Sequence, residues 1–184
     1  MEFRSPYIAF SAPSGAGKTT IVRILEKKYP QLVISISAAT RPRRSNEIDG
    51  HDYYFMDIAD FKKKIEDGSF LEYEEVHGQY YGTLIEKIEE FTALGKTVLF
   101  DIDVNGAQSV KKHYPQALLF FIKPPSKEEL IRRLQLRKSE TENSIKKRLE
   151  RLQYEYEQAE KFDHIIINDN LEDAVKEIEK LILK

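Results

Sequence analysis

Short apolar runs alternate along the chain with segments in which apolar residues recur every three to four positions. The runs indicate strands that are buried on both faces of a sheet. The intervening segments indicate amphipathic helices. The predicted core strands are Tyr7–Ser11, Leu32–Ile36, Thr97–Ile102, Ala117–Ile122 and His164–Asn168. The first predicted helix carries Ile21, Ile24 and Leu25 on one face, and further helices are predicted over residues 84–94, 126–137, 144–160 and 171–183.

The alternation of strand and helix predicts an α/β fold, with a parallel sheet and helices on both of its faces. One stretch, residues 37–82, departs from this pattern. It contains a polar loop and a short helix over residues 58–67 that stops before Gly68. Its predicted strands are Tyr53–Met56, Phe70–Val76 and Gln79–Tyr81. This stretch therefore predicts a small mixed or antiparallel insertion.

A second stretch that departs from the alternation, residues 135–147, is highly charged and has few apolar anchors. A charged and weakly anchored segment between two helices is typical of a mobile lid. A solvated helix hairpin fits the same pattern equally well.

Length and composition exclude several classes of protein. The 184 residues suggest one domain, and 41% hydrophobic with 33% charged residues permit a packed core. The net charge of −2 argues against a uniformly basic nucleic-acid binder, and the lack of cysteine excludes disulfides and thiolate metal sites. No apolar run approaches the roughly 20 residues of a membrane span, and residues 1–6 lack the features of a signal peptide. We expect a cytoplasmic protein.

A loop of small residues follows the first predicted strand and precedes a helix. This is the context of a P-loop, whose backbone N–H groups and following helix bind phosphate. In such a loop Lys18 reaches the β- and γ-phosphates, and Thr19 ligates Mg²⁺. Ala12 stands where the motif G-x-x-x-x-G-K-S/T has its first glycine, so we expect an ordinary φ there. A glycine-rich connecting turn is the alternative. The predicted ATP-binding residues are Ala12, Pro13, Ser14, Gly15, Ala16, Gly17, Lys18, Thr19 and Thr20.

Two aspartates, Asp101 and Asp103, stand at the end of the predicted strand over residues 97–102. They point to the same face because they are two residues apart. Ligands of parallel sheets bind at this end of the strands, where a carboxylate can hold Mg²⁺ directly or through water. We predict that Asp101 shares the Mg²⁺ of ATP with Thr19. The alternative is that one aspartate caps the following helix.

Arginine and tyrosine residues are concentrated in the insertion. Arg41, Arg43 and Arg44 occupy three of four consecutive positions, and several tyrosines follow. Guanidinium groups bind phosphate in bidentate fashion, and tyrosine hydroxyls add donors. A lone glutamate near such a cluster suits a base with two adjacent N–H donors, as guanine has. The insertion thus predicts a site for a second, phosphate-bearing substrate.

In combination the motifs resemble the guanylate kinase family, whose members phosphorylate GMP from ATP. The segments T-R-x-x-R, G-x-D-Y-x-F, F-L-E, G-x-Y-Y-G-T and D-I-D-V-x-G-A stand in the order and spacing of that family, and the resemblance extends to residue 172. It implies a P-loop NTPase-type parallel sheet flanked by helices, a mixed α/β GMP-binding insertion and a helical lid. The single domain would comprise a core (about 1–36, 84–134 and 149–184), the insertion (about 37–83) and the lid (about 135–148).

The resemblance also implies roles for individual residues. Those implied to hold the GMP phosphate are Arg41, Arg44, Tyr53 and Tyr81. Those implied to read or frame guanine are Ser37, Glu72, Thr83 and Asp103. The implied catalytic residues are Lys18, Arg44 and the lid arginines Arg137 and Arg148. Asn168 would lie near the adenine of ATP. Arg133 and Arg151 receive no role, because they fit a charged helix face.

The chain departs from the family pattern at a few positions. Ala38 and Ala39 interrupt the usual S-H-T-T-R-like run, Asn105 replaces a glutamine, and residues 136–140 lack two lid glycines. The lost glycines should change where the lid flexes. The implied substrates are ATP and GMP with Mg²⁺, without nucleic acid or membrane, for a monomer or homodimer. A kinase for another nucleoside monophosphate and a non-catalytic interaction module on the same fold are the alternatives.

Overall fold

The structure, a computed structural model, describes residues 2–136 and 142–184, and only the backbone of residues 142–147. The strands are β1 (Tyr7–Ser11), β2 (Leu32–Ile34), β3 (Ala38–Ala39), β4 (Tyr54–Phe55), β5 (Phe70–Val76), β6 (Gln79–Leu84), β7 (Thr97–Asp101), β8 (Leu118–Lys123) and β9 (His164–Ile167). The helices are α1 (Lys18–Lys28), α2 (Ile58–Glu66), α3 (Ile85–Ala93), α4 (Val104–His113), α5 (Lys127–Gln135), α6 (Glu142–Ala159) and α7 (Leu171–Ile182).

Five strands form a parallel sheet in the order β2-β7-β1-β8-β9. Every residue of β1 is buried. Its alternate side chains enter two cores: Ile8 and Phe10 pack with residues of α1 and α7, whereas Tyr7 and Ala9 pack with residues of α3 and α4. The predicted α/β fold with helices on both sides of a parallel sheet is confirmed.

Four shorter strands form a second sheet in the order β4-β3-β6-β5. Strand β3 pairs in parallel with β4 and antiparallel with β6, so this sheet is mixed. Its core is small: Ala38, Phe61 and Leu84 form a buried apolar cluster, and the Phe61 ring stacks on Phe70 at 4.2 Å. At Gly82 a Cβ would lie 2.8 Å from the backbone oxygen of Glu72, so glycine permits the close approach of β5 and β6.

The hydrophobic pattern of the sequence did not predict helix α4 or strand β3. Helix α4 begins Val104-Asn105-Gly106, which has low intrinsic helix propensity, and it is stabilised by the Asp103 side chain, which accepts a hydrogen bond from the Gly106 N–H. Strand β3 has only two residues and depends on its two neighbours. The predicted strand over residues 32–36 ends at Ile34.

Helix α5 ends at Gln135 and α6 begins at Glu142. Residues 137–141 between them, which include Arg137 and the middle of the predicted lid, lie outside the described residues. Among the helices that the structure describes, none is both long and apolar enough to cross a membrane.

Candidate nucleotide site

The loop between β1 and α1 has a backbone conformation that requires glycine at two positions. Gly15 and Gly17 both have φ of 96°, in the left-handed region that disfavours other residues. A Cβ on Gly17 would also lie 2.4 Å from Asn168 Nδ2. That amide group donates to the backbone oxygen of Ala16 at 2.8 Å, so Asn168, directly after β9, supports the loop. Its expected place near the adenine of ATP stays a prediction. Ala12 is not among the residues with positive φ, which confirms the expectation of an ordinary backbone there.

Lys18 points from the start of α1 towards the end of β7. Its Nζ lies 2.7 Å from Asp101 Oδ1 and donates to the backbone oxygen of Ile102 at 2.7 Å. The pairing of β1 with β7 places Phe10 opposite Asp101 and brings these groups together. A cavity of about 300 Å³ lies over the loop, and Lys18, Thr19, Asp101 and Glu155 are among the residues that line it. The cavity thus offers backbone donors and a lysine to an anion.

Arg41 and Glu47 form a bidentate ion pair in the insertion. The Nη1–Oε2 distance is 2.7 Å and the Nη2–Oε1 distance is 2.6 Å. Glu47 also accepts from the backbone N–H of Arg44 at 2.8 Å. These hydrogen bonds lower the pKa of Glu47 to about 2 and raise the pKa of Arg41. Glu47 therefore orders the loop that carries both arginines.

Two tyrosines complete this cluster. The Arg41 guanidinium lies 4.8 Å from the centre of the Tyr53 ring, and the Tyr53 and Tyr81 rings meet edge to face at 6.3 Å. Arg44 is exposed beside them. The structure thus brings together Arg41, Tyr53 and Tyr81, as their implied role in phosphate binding requires, with Arg44 next to them.

The second sheet presents a partly buried carboxylate, Glu72. Strand pairing places it opposite Thr83, whose hydroxyl donates to Glu72 Oε1 at 2.6 Å. Burial raises the pKa of Glu72, and the charge of Asp103 raises it further, although the Thr83 hydrogen bond acts in the opposite direction. Asp103 reaches the same region from the end of β7. Three of the four residues that the resemblance implies for guanine therefore lie near one another.

One face of α6 points into the site. Arg148 Nη1 contacts Ser14 Oγ of the phosphate loop. Arg151 Nη2 lies 2.9 Å from Asp103 Oδ2. Glu155 lines the cavity over the loop, and burial raises its pKa. The spacing of these three residues, at i, i+3 and i+7, places them on one side of the helix.

Comparisons with known proteins agree on the family. The family model described as guanylate kinase matches residues 4–184. A guanylate kinase from Chlorobium chlorochromatii is 50% identical over 177 residues, which are 96% of this chain and 93% of that protein. The chain belongs to the guanylate kinase family. A guanylate kinase from Thermotoga maritima is 43% identical over 92% of this chain and 82% of its own length. The crystal structure of guanylate kinase from Anaplasma phagocytophilum superposes with a TM-score of 0.69 at 29% identity, over 95% of this chain and 82% of that chain.

Four residues near the site were given no role from the guanylate kinase motifs. Glu47 pairs with Arg41, and Arg151 and Glu155 lie on α6 as described above. Arg133 donates to the backbone oxygen of Asn168 at 3.0 Å and pairs with Glu129 at 2.7 Å. The i, i+4 spacing of Glu129 and Arg133 was visible in the sequence, but the contact with Asn168 joins residues that are 35 positions apart.

The oxygen groups near the phosphate loop suit a magnesium ion. Mg²⁺ in nucleotide sites prefers one or two carboxylate or hydroxyl ligands, together with phosphate oxygens and water. Thr19 and Asp101 line the same cavity and have these chemical groups. Among the described residues there is no group of three or more His, Cys, Asp or Glu side chains that could hold a metal ion.

Proposed function

We propose that this chain transfers the γ-phosphoryl group of ATP to GMP, giving ADP and GDP, with Mg²⁺ bound alongside ATP. One observation carries this proposal: Asp101 lies in the wall of two neighbouring cavities. The first is the cavity over the phosphate loop. The second, of about 400 Å³, is lined in part by Ser37, Glu47 and Tyr53 of the insertion. Two phosphates bound in these cavities would face each other across the end of β7.

The transfer makes one bond and breaks one. An oxygen of the GMP phosphate forms a bond to the γ-phosphorus, and the bond from that phosphorus to the oxygen bridging to the β-phosphate breaks. ADP leaves with the electron pair. The attacking oxygen is already anionic at neutral pH, so the reaction needs no general base. The residues instead position two polyanions in line and offset their charge.

The donor phosphates would be bound by the backbone of residues 12–20, with Asn168 beneath the loop and Lys18 on the β- and γ-phosphates. Arg148 would add positive charge at the transferring group, where it already contacts Ser14. Arg137, the other arginine proposed for this role, lies outside the described residues. Thr19 and Asp101 would hold Mg²⁺, which supplies further neutralisation of phosphate charge when bound.

The acceptor would be bound by the second sheet and its loops. Arg44 would contact the GMP phosphate directly, with hydroxyl donors from Tyr53 and Tyr81. Arg41 has two guanidinium nitrogens committed to Glu47, so it would offer its remaining donors from an orientation that Glu47 holds. Its proposed role is thus partly to supply charge beside the phosphate.

The base of GMP would be recognised by carboxylates. Glu72 would accept from the ring N–H and the 2-amino group of guanine, while Ser37, Thr83 and Asp103 would frame the ring. Adenine has an acceptor in place of that ring N–H and no amino group at position 2. It would leave the partly buried Glu72 without guanine donors, which is costly.

A coupled assay with ATP, Mg²⁺ and each of GMP, AMP, CMP and UMP tests the proposal. Sites that hydrogen-bond a specific group reject analogues lacking it by about 10⁴-fold in kcat/KM, and we expect GMP to be preferred over AMP on that order. Equal use of AMP and GMP would contradict the assignment of the base. A folded protein that binds peptides and turns over none of the four would favour the interaction module. A cytoplasmic location and a monomeric or homodimeric state stay predictions from the sequence.

A further inference from the structure

Asp103 is held at both of its carboxylate oxygens. Oδ1 accepts from the backbone N–H of Gly106 at 2.9 Å and so caps α4. Oδ2 accepts from Arg151 Nη2 at 2.9 Å. The first bond leaves the carboxylate one oxygen for a ligand, and the second fixes where that oxygen lies. Residues 103 and 151 are 48 positions apart, so this contact depends on the packing of α6 near the end of β7.

Arg151 itself is oriented by a second acid. Its Nε lies 4.0 Å from Glu155 Oε1, one turn further along α6. The Arg151 side chain is 53% exposed, whereas that of Glu155 is only 13% exposed. The guanidinium group thus lies between the carboxylate of Glu155, which lines the cavity over the phosphate loop, and the carboxylate of Asp103 near Glu72. An exposed arginine with two such partners is more restricted than one that extends into solvent.

We propose that Arg151 is a positioning residue for base recognition, which holds Asp103 Oδ2 where it accepts a hydrogen from the 2-amino group of guanine. The inference rests on the proposed function. A carboxylate can only accept, and guanine offers the ring N–H and two amino hydrogens along this edge. Glu72 can take the ring N–H and one amino hydrogen, which leaves the other for Asp103. Each carboxylate oxygen has two lone pairs, so Oδ2 can accept from Arg151 and from guanine together.

The positive charge of Arg151 supports the same arrangement. Asp103 and Glu72 repel each other, because the charge of Asp103 disfavours the ionised form of Glu72. The positive charge of Arg151 beside Asp103 reduces that repulsion, so that both carboxylates can stay ionised next to the same base. An ordinary surface ion pair between Arg151 and Asp103 would instead have no effect on which base is bound.

The test compares GMP with IMP, which has the same ring N–H but no 2-amino group. Arg151→Gln in the full chain should raise KM for GMP on the order of fivefold, the effect that an exposed charged pair can reach. KM for IMP, or its Ki against GMP if turnover is too slow to measure, should change less than about twofold. The kcat and the KM for ATP should stay near wild type, because the proposed role of Arg151 is at the base and not at either reacting phosphate. Lys176→Gln, which breaks an exposed ion pair on α7, is the matched control.

A double-mutant cycle shows whether Arg151 acts through Asp103. Asp103→Asn keeps an oxygen for capping α4 but loses the charge. In the Asp103→Asn background, Arg151→Gln should change KM for GMP less than about twofold. In the wild-type background, Arg151→Lys should keep part of the preference for GMP over IMP that Arg151→Gln loses. Independent effects of the two substitutions would overturn the inference, as would equal shifts for GMP and IMP or a lower KM for GMP. Wild-type protein that fails to phosphorylate GMP would contradict the proposed function instead.

Discussion

The phosphate loop and the acceptor insertion bind anions by different means. The loop uses backbone geometry: two glycines with φ of 96° curl the chain, and Ala16 between them is fully buried. The proposed acceptor site of the insertion is built from side chains instead: two arginines, two tyrosines and two glutamates on and around a small mixed sheet. Beneath the loop lies a large buried cluster of the core, whereas the cluster that the second sheet forms with α2 has three buried apolar residues.

The difference follows from what each site has to distinguish. Phosphate groups are alike in every nucleotide, so fixed backbone N–H groups and a helix terminus suffice to bind them. A base is distinguished by the pattern of donors and acceptors on its edge, which only particular side chains can match. Those side chains must be desolvated to discriminate between bases. Desolvation disfavours a charged carboxylate, and partial burial accordingly raises the pKa of Glu72.

The largest expected effect tests the loop. Lys18→Met removes the positive charge that is proposed to face the transferring phosphoryl group, but it keeps the length of the side chain. We expect kcat to fall about 10²–10³-fold, as for other groups that stabilise transition-state charge. Lys96→Met is the control, because Lys96 also donates to a backbone oxygen, that of Pro30, but outside the site. A folded Lys18→Met variant with near-normal kcat would mean that the loop only connects β1 to α1.

The next effect tests whether the two sites are separate. Arg44→Ala should raise KM for GMP about 10–100-fold, since a charge-assisted hydrogen bond to phosphate contributes about 1.5–3 kcal/mol. The Kd of ATP, measured by calorimetry without GMP, should stay within about twofold. The adjacent and equally exposed Arg43, replaced by alanine, provides the control for general loss of charge. Equal losses of affinity for ATP and GMP after Arg44→Ala would show that one anion site serves both.

The smallest effect concerns the stability of the insertion. Because the native pKa of Glu72 lies above its usual 4.5, the folded protein binds more protons than the unfolded chain between these values. This group therefore lowers stability as pH rises through that window. Glu72→Gln should raise Tm at pH 7, and the gain should disappear below about pH 4.5, where the carboxyl group is protonated in both states.

Thermal unfolding across this pH range, followed by circular dichroism without nucleotide, checks the stability prediction. Glu66→Gln at the exposed end of α2 controls for the loss of a negative charge. An unchanged or lower Tm for Glu72→Gln at pH 7 would show that Thr83 compensates fully for the burial of the carboxylate.

The sequence determined the features that neighbouring residues control. The strand pattern of β1 followed by Gly15 and Gly17 specified the phosphate loop, because the required φ values are local properties of glycine. Alternating apolar runs and helical periods predicted the parallel sheet and most of its helices. The resemblance of the motifs to the guanylate kinase family implied roles for Glu72 and Thr83, whose side chains meet across adjacent strands that are joined by a short turn.

Tertiary structure decided which charged groups became partners. Lys18 and Ile102 are 84 positions apart, and their contact arises because β1 lies beside β7. In the sequence, Arg151 has the pattern of a cation on a solvated helix face. The packing of α6 brings it into contact with Asp103. Helical periodicity fixes the face on which a side chain lies but not the element that it meets. The degree of burial, which alters the pKa of Glu72, likewise exists only once the second sheet has folded against the first.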